Sequence, residues 1–410
     1  MPSAQPDGDV APIDGKLPES ALRGLGQRPF GVYVHVPFCA TRCGYCDFNT
    51  YTAAELASSP ASPQSWLDGL RGELTMAASV LGSPPVADTV FVGGGTPSLL
   101  GAAGLADVLS AVRDAFGLAA DAEVTTESNP ESTSREFFAG IRAAGYTRVS
   151  LGMQSAAPHV LAVLDRTHTP GRAAAAAREA RAAGFAHVNL DLIYGTPGER
   201  ADDLTASLDA VLEAGVDHVS AYALIVEEGT ALARRIARGD LPAPDDDVLA
   251  DRYEQVDAAL SAAGLHWYEV SNWAKEPSAW CRHNLGYWHG GDWWGAGPGA
   301  HSHVGGVRWW NVKHPARYSE LVARGSSPAA ARETLSASDR RLERIMLELR
   351  LVDGLLIDVL DPDAQVEARA AAAEGLLDRD ALAGVNGRFG RCVLTPRGRL
   401  LADAVVRRLT

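Results

Sequence analysis

The segment Tyr33-Val-His-Val-Pro-Phe-Cys39-Ala-Thr-Arg-Cys43-Gly-Tyr-Cys46 crowds three cysteines into eight residues. A C-x3-C-x2-C spacing in a tight loop lets three thiolates reach three corners of one [4Fe–4S] cubane. The fourth iron is then open to a small molecule. The α-amine and carboxylate of an amino acid chelate such a corner, as the methionine part of S-adenosylmethionine does. A sulfonium beside an anionic cluster that delivers one electron favours reductive cleavage of the S–C5′ bond, to methionine and a 5′-deoxyadenosyl radical. The competing chemistry for the same residues is structural zinc. Such a site takes four ligands, commonly as two separated C-x2-C pairs, and no second pair exists. His35, the nearest fourth ligand, precedes the loop in strand context.

Further polar residues fall where strands end. Gly93-Gly94-Gly95-Thr96-Pro97 follows an apolar run but is neither a dinucleotide fingerprint nor a phosphate loop, because spacing and lysine are wrong. Its glycines permit close backbone approach to a ligand. Glu127, Gln154 and Asp191 stand at the ends of three later runs, the last before Tyr194-Gly195-Thr196-Pro197-Gly198. Polar groups at the carboxyl ends of successive parallel strands converge on one mouth. Taken singly, each has an ordinary alternative as a cap for the next helix.

The elements that must position these residues are strand–helix units. β-branched or apolar runs predict strands over 30–36, 89–92, 123–126, 148–153, 187–193 and 218–224. Between them, Leu105, Val108, Leu109, Val112 and Phe116 share one helical face, as do Leu204, Leu208, Val211 and Leu212. Four Ala-Gly-apolar triplets, at 144–146, 183–185, 214–216 and 263–265, read as helix ends with a left-handed glycine. The fold class is therefore α/β: a partial (βα)6 barrel of TIM type, two units short of closing. After residue 225 a helix over 246–263 and a strand over 265–270 lead into residues 267–310, which hold eight of the nine tryptophans. Their many glycines, Gly286 to Gly299, predict loop. Gly325–Ala331 reads as a linker, and the tail as helices with a hairpin near Arg391–Thr395, an α+β region of winged-helix type. The expected divisions are 1–29, a disordered lead-in; 30–265, the barrel; 266–325, the Trp/His-rich segment; and 326–410, a small helical domain.

A net charge of −14 over 410 residues, without a basic cluster, argues against nucleic acid and against direct attraction to an anionic lipid surface. No apolar window is long enough to span a bilayer, and Met1–Pro29 lacks the pattern of a signal peptide, so the expected location is cytoplasmic. Five cysteines are too few for a disulfide framework. Cys392 reads as a small core residue.

In order along the chain stand Y-x-H-x-P-F-C-x3-C-x-Y-C, GGGTP, E-S-N-P, S-x-G-x-Q-S and D-L-I-Y-G-x-P-G. From about residue 30 to the end, the chain thereby resembles radical S-adenosylmethionine proteins of the oxygen-independent coproporphyrinogen III oxidase family. The resemblance implies that Tyr33, Gly95, Thr96, Glu127, Gln154, Arg166 and Asp191 bind S-adenosylmethionine, with Glu127 suited to ribose hydroxyls. Tyr45 resembles a position that contacts a second S-adenosylmethionine in the oxidases. That family divides into oxidases and haem chaperones. The oxidases carry a further cysteine two residues after the third cluster ligand, where this chain has Phe48. The chaperones carry H-N-x-x-Y-W, matched by His283-Asn284-Leu285-Gly286-Tyr287-Trp288. The ordered N-terminal arm of the oxidases is also missing from the expected pattern.

The resemblance implies a haem chaperone, with the alternative of an oxidase that decarboxylates coproporphyrinogen III. A zinc-stabilised interaction module is the reading from a different class. Histidine is the usual axial haem ligand, and aromatic rings offer flat apolar surface to a porphyrin. His283, Tyr287 and Trp288 are accordingly the expected haem residues, in loops at the barrel mouth. Cys281, His289, Trp293 and Trp294 lie in the same stretch, for which the ordinary alternative is an aromatic core. The implied partners are haem and haem-accepting clients, respiratory and membrane-associated, reached by protein contact at the membrane periphery; a homodimer is implied by resemblance alone.

Overall fold

The computed structural model describes residues 7–384 and 390–410. Its main sheet is built first from β1 (Phe30–Val36), β2 (Ala87–Gly94), β3 (Leu118–Ser128), β4 (Arg148–Gln154), β5 (His187–Tyr194) and β6 (His218–Ala223). These six are parallel neighbours in chain order, as the alternating pattern predicts. Val32, Val34 and Val36 of β1 are fully buried, the signature of a strand covered on its core face. The connecting helices are α1 (Pro63–Leu81), α2 (Gly101–Phe116), α3 (Arg135–Ala144), α4 (Arg172–Ala182) and α5 (Ala201–Ala214). Ser62 caps α1 and Ser134 caps α3, each accepting from a backbone N–H in the first turn. The glycines of the four Ala-Gly triplets all have positive φ, which stops the helices where the sequence marks them.

The sheet does not stop at six strands. After α6 (Asp246–Ala262) come β7 (His266–Glu269) and β8 (Asn272–Ala274), which pair antiparallel beyond β6. Helix α7 (Arg282–Trp288) is followed by β9 (Asp292–Ala296), which lies parallel to β1 on its free side, Phe30 opposite Asp292. Then β10 (His301–Val304), β11 (Val307–Asn311) and β12 (Ala329–Thr334) continue antiparallel. The order is β12-β11-β10-β9-β1-β2-β3-β4-β5-β6-β8-β7. Three expectations are corrected here. Gly286–Gly299 is a helix and a strand, not a loop, because pairing with β1 supplies order that glycine content hides. The linker at Gly325–Ala331 gives way to strand β12. Residues 7–29 are not a disordered lead-in: Asp9 and Arg332 exchange backbone hydrogen bonds of 2.8 and 2.9 Å, Ser327 N–H donates to the Ile13 carbonyl at 2.7 Å, and Ala21 is buried. Residues 1–6 lie outside the described residues.

Helix α8 (Ala337–Glu348) leads into a second apolar cluster that includes Ile345, Leu355, Leu376, Cys392, Leu394 and Val405. Cys392 is a buried member of it. Arg391–Cys392 pairs with Leu355–Leu356, so the hairpin expected near 391–395 is replaced by a non-local pair. Among the described residues no helix is long and apolar enough to cross a membrane.

Candidate functional site

The cysteine loop leaves the carboxyl end of β1. Phe38–Cys39 pairs with Tyr51–Thr52, and Gly44 anchors the middle of the loop, its N–H donating to the Leu164 carbonyl at 3.0 Å and its carbonyl accepting from Leu232 N–H at 2.8 Å. Arg42 ties the loop to its return limb through the Thr50 carbonyl and an ion pair of 3.0 Å with Glu55. Cys39, Cys43 and Cys46 are all free and partly exposed. Two donors from other elements approach their sulfurs: Thr96 Oγ1 at 3.6 Å from Cys39 Sγ, and Arg166 Nη1 at 3.7 Å from Cys43 Sγ. Burial pushes the Cys39 thiol up and the Cys46 thiol up to about 11. Such thiols become ligands by releasing their protons when a metal binds in the same loop.

His35 is a strut rather than a ligand. Burial lowers its pKa to about 4, so the ring is neutral. Nε2 lies 2.9 Å from the Asn49 carbonyl, which only accepts, so Nε2 carries the proton and Nδ1 accepts from Tyr33 O–H at 2.9 Å. Both ring nitrogens are thus committed, which removes the fourth ligand that the zinc alternative needs. No group of three or more His, Cys, Asp or Glu among the described residues is arranged to hold a single metal ion.

The other strand ends gather around this loop. Glu127 Oε2 accepts from Gly94 N–H at 3.0 Å; burial, reinforced by repulsion from Asp191, raises its pKa to about 8. Asp191 accepts from Ser150 Oγ at 2.9 Å and Asn189 Nδ2 at 2.7 Å; burial raises its pKa against the opposing effect of these bonds and of Arg166. Arg166 donates to the Gly152 carbonyl at 2.9 Å, and its Nε is buried without a partner. Gln154 is one of two non-glycine residues with positive φ among the described residues, at 67°, beside a register shift between β4 and β5. Backbone strain of this kind collects at ligand-holding positions. Tyr45 packs on the apolar cluster of Val160, Leu164, Ile193 and Leu232 beneath the loop. Gly95 also has a packing role. A Cβ there meets the Phe38 carbonyl oxygen at 2.5 Å, so its smallness serves the cysteine loop's own backbone.

The H-N-x-x-Y-W segment lies elsewhere. His283 is buried, with Nδ1 2.8 Å from Thr89 Oγ1 and Nε2 2.7 Å from Tyr287 Oη. Its N–H donates to Glu123 at 3.0 Å. Thr89, Glu123 and Arg148 lie toward the amino ends of the paired stretches of the core strands, so α7 forms the barrel floor. Between floor and mouth run about five residues of strand, on the order of 16 Å. The expected placement at the mouth is corrected: the segment's buried, hydrogen-bonding residues plug the opposite end. Burial lowers the His283 pKa to about 4. Trp288 lies beside the floor carboxylate Glu269.

Sequence reasoning missed a hydrogen-bonded column joining the two ends. Asn189 donates to Asp191 and, at 2.9 Å, to Ser220; its Oδ1 accepts from His218 Nδ1 at 2.7 Å, and His218 Nε2 accepts from Tyr268 O–H at 2.7 Å. The alternation of strands was the available signal, since Asn189 and Asp191 must share a face of β5.

Comparison with known proteins fits this geometry. The model of the radical SAM superfamily matches residues 33–211. The chain is 64% identical over 399 residues to the Heme chaperone HemW of Mycobacterium tuberculosis (strain ATCC 25618 / H37Rv), covering 97% of this chain and 98% of that protein. It is 34% identical over 365 residues to the Heme chaperone HemW of Escherichia coli (strain K12), covering 85% and 92%. The chain belongs to the HemW family of radical SAM proteins. The solved coproporphyrinogen III oxidase (HemN) of Escherichia coli, itself a radical SAM enzyme, superposes with a TM-score of 0.79 over 95% of this chain and 92% of that one, at 24% identity, and so shares the fold.

Radical SAM membership implies a [4Fe–4S] cluster and S-adenosylmethionine, and the residues present fit both. Three free thiols share one loop, donors from Thr96 and Arg166 face two sulfurs, and Arg166 Nε and Thr196 Oγ1 are buried at the mouth without partners. When bound, the pair supplies one-electron reductive cleavage of a sulfonium. The chain contributes a neutral Tyr33–His35 strut that fixes the loop, a guanidinium balancing sulfur charge, and two carboxylates bonded to different partners.

Proposed function

We propose that this chain is a haem chaperone that binds haem and passes it to client proteins, with the cluster and S-adenosylmethionine held at the mouth by Cys39, Cys43, Cys46 and by Tyr33, Tyr45, Gly95, Thr96, Glu127, Gln154, Arg166 and Asp191. The observation that carries the proposal is identity of 64% across nearly the whole length of a protein named for that role. Phe48 supports it: the side chain that replaces the oxidases' extra cysteine is 59% exposed and lines a small cavity with Cys43 and Cys46. The chaperone acts in the cytoplasm and meets respiratory clients at the membrane by protein contact, because a net charge of −14 repels an anionic lipid surface. A homodimer is the proposed assembly.

The test is anaerobic reconstitution of the full chain, followed by haem titration and a coproporphyrinogen III assay on one sample. Saturable haem binding without protoporphyrinogen IX formation is expected. Product at enzymatic rates would assign the chain to the oxidases.

A further inference from the structure

We propose that haem sits in a crevice on the floor side, between residues 20–28, the end of α7, and α8, with His289 as its iron ligand. This rests on the haem-binding reading above and moves the ligand from His283 to a different residue and wall. The crevice encloses about 940 Å3, within the ~300–1,000 Å3 range of small-molecule sites. Its walls suit an iron porphyrin in three respects.

The first is an available imidazole. His289 follows α7, is exposed, lines the crevice, and has no side-chain hydrogen bond among the described residues. The other histidine of the wall, His303, is engaged at both nitrogens, by the Gly291 carbonyl at 2.8 Å and Gly306 N–H at 3.2 Å. His283 is engaged at both as well and does not line the crevice. Recruiting either of those rings to iron breaks at least one hydrogen bond in a buried setting; recruiting His289 breaks none.

The second is flat apolar surface. Trp293 and Tyr287 line one side, their ring centroids 4.7 Å apart at 74°, and Met346, 40% exposed, faces the crevice from α8 with Leu347. The exposed methionine adds apolar surface to the crevice that the aromatic rings also line, a setting in which porphyrin burial is favourable.

The third is charge. In a chain of net −14, this crevice reverses sign, with five arginines against two glutamates among its lining residues. Arg28, Arg308 and Arg344 are ion-paired with Asp292, Glu333 and Glu348. Arg23 and Arg340 also line the crevice and have no ion pair or side-chain hydrogen bond among the described residues. Two free guanidiniums match the two propionates of haem, each able to take a carboxylate bidentately.

His283 then acts as a positioning residue. It holds the Tyr287 hydroxyl at 2.7 Å, and Tyr287 in turn abuts Trp293 of the wall. His283 and Tyr287, four residues apart, form a helical pair with a structural purpose.

The experiment is visible-spectrum titration of the cluster-reconstituted full chain with ferric haem. His289→Ala is expected to shift the Soret band and weaken binding at least tenfold. His283→Gln, which keeps a donor and an acceptor toward Thr89 and Tyr287, is expected to leave the Soret position unchanged. Arg23→Gln with Arg340→Gln is expected to weaken haem at least tenfold while leaving haem dimethyl ester unaffected. Met346→Trp, which fills the crevice from an exposed position, is expected to block binding without loss of the cluster. Wild-type affinity and spectrum in His289→Ala overturn the crevice while haem binding by the chain stands; failure of the unsubstituted chain to bind haem overturns both.

Discussion

Mouth and floor of this barrel each carry a dense run of chemically capable residues, and they use them in opposite ways. At the mouth, Cys39, Cys43 and Cys46 are partly exposed, and the surrounding donors approach their sulfurs without saturating them. At the floor, His283 and Cys281 are claimed by neighbours, while Trp288 Nε1 and Arg148 Nη1 are buried without hydrogen-bond partners. His283 is bonded at both nitrogens, and the Cys281 thiol, pushed well up by burial, donates to Glu123 at 3.5 Å. A metal-binding loop must leave valence unspent, whereas the plug's histidine and thiol spend theirs on neighbouring groups. Residue types therefore mark both regions, and burial with hydrogen-bond accounting separates ligand from strut.

The largest effect that sharpens this contrast is cluster loss. Replacing Cys39, Cys43 or Cys46 by Ala should remove the four irons and four sulfides of the reconstituted protein, whereas Cys281→Ala and Cys392→Ala should retain them. Iron and sulfide analysis with absorption near ~400 nm, where such clusters absorb, reads the outcome. Cluster loss in Cys281→Ala would erase the distinction between the two ends.

Next comes Gly95→Val. Because a Cβ at Gly95 meets the carbonyl oxygens of Phe38 and Val36, the substitution should displace the backbone that carries Cys39 and lower cluster content. An effect confined to S-adenosylmethionine, seen as an unchanged cluster whose reduced electron paramagnetic spectrum no longer responds to the ligand, would instead put Gly95 against the ligand itself.

At the floor the expected effect is on folding. His283→Ala empties a buried ring site and orphans Thr89 and Tyr287, which should cost roughly 3–5 kcal/mol. Denaturant unfolding measures it, and the cluster's spectrum should be unaltered in the folded fraction. A variant as stable as the parent would mean that His283 is held for a ligand and not for the plug.

Much of the mouth was legible in sequence because its information is local. The cysteine spacing, the strand over 30–36 and the polar residues after successive strands all lie within short windows, and the parallel sheet places them together by rule. The floor was legible as a motif and misleading as a location. Its placement depends on β9 pairing Phe30 with Asp292, a contact between distant parts of the chain that a glycine-rich segment does not announce. The edge strand β12 and the ordered residues near Asp9 were hidden for the same reason, since each is held by a partner far away in sequence. His35 was weighed as a zinc ligand because strand context alone does not say that Asn49 and Tyr33 claim both nitrogens.

The smallest effect at any one pH concerns the carboxylates, which are raised at both ends: Glu127 at the mouth to about 8 and Glu269 at the floor to about 7, burial being the first cause in each. Glu269 is the sharper test, because it is buried among groups that lower its pKa, Asn272, Asn284 and Trp288, and still titrates high. An acid whose folded pKa lies above its unfolded value favours the folded state only while protonated. Its contribution is fully present below the unfolded value of 4.5 and is lost as pH rises through about 7. A rise of that size corresponds to on the order of 3 kcal/mol across that window. Glu269→Gln imitates the protonated acid, so the stability gap between variant and parent should widen in the variant's favour from pH 5 to 8. Equilibrium denaturation at several pH values in that range reads the gap. A constant gap would mean that Glu269 is ionised throughout, held so by the floor's donors, and the floor would then store a charge where the mouth stores a proton.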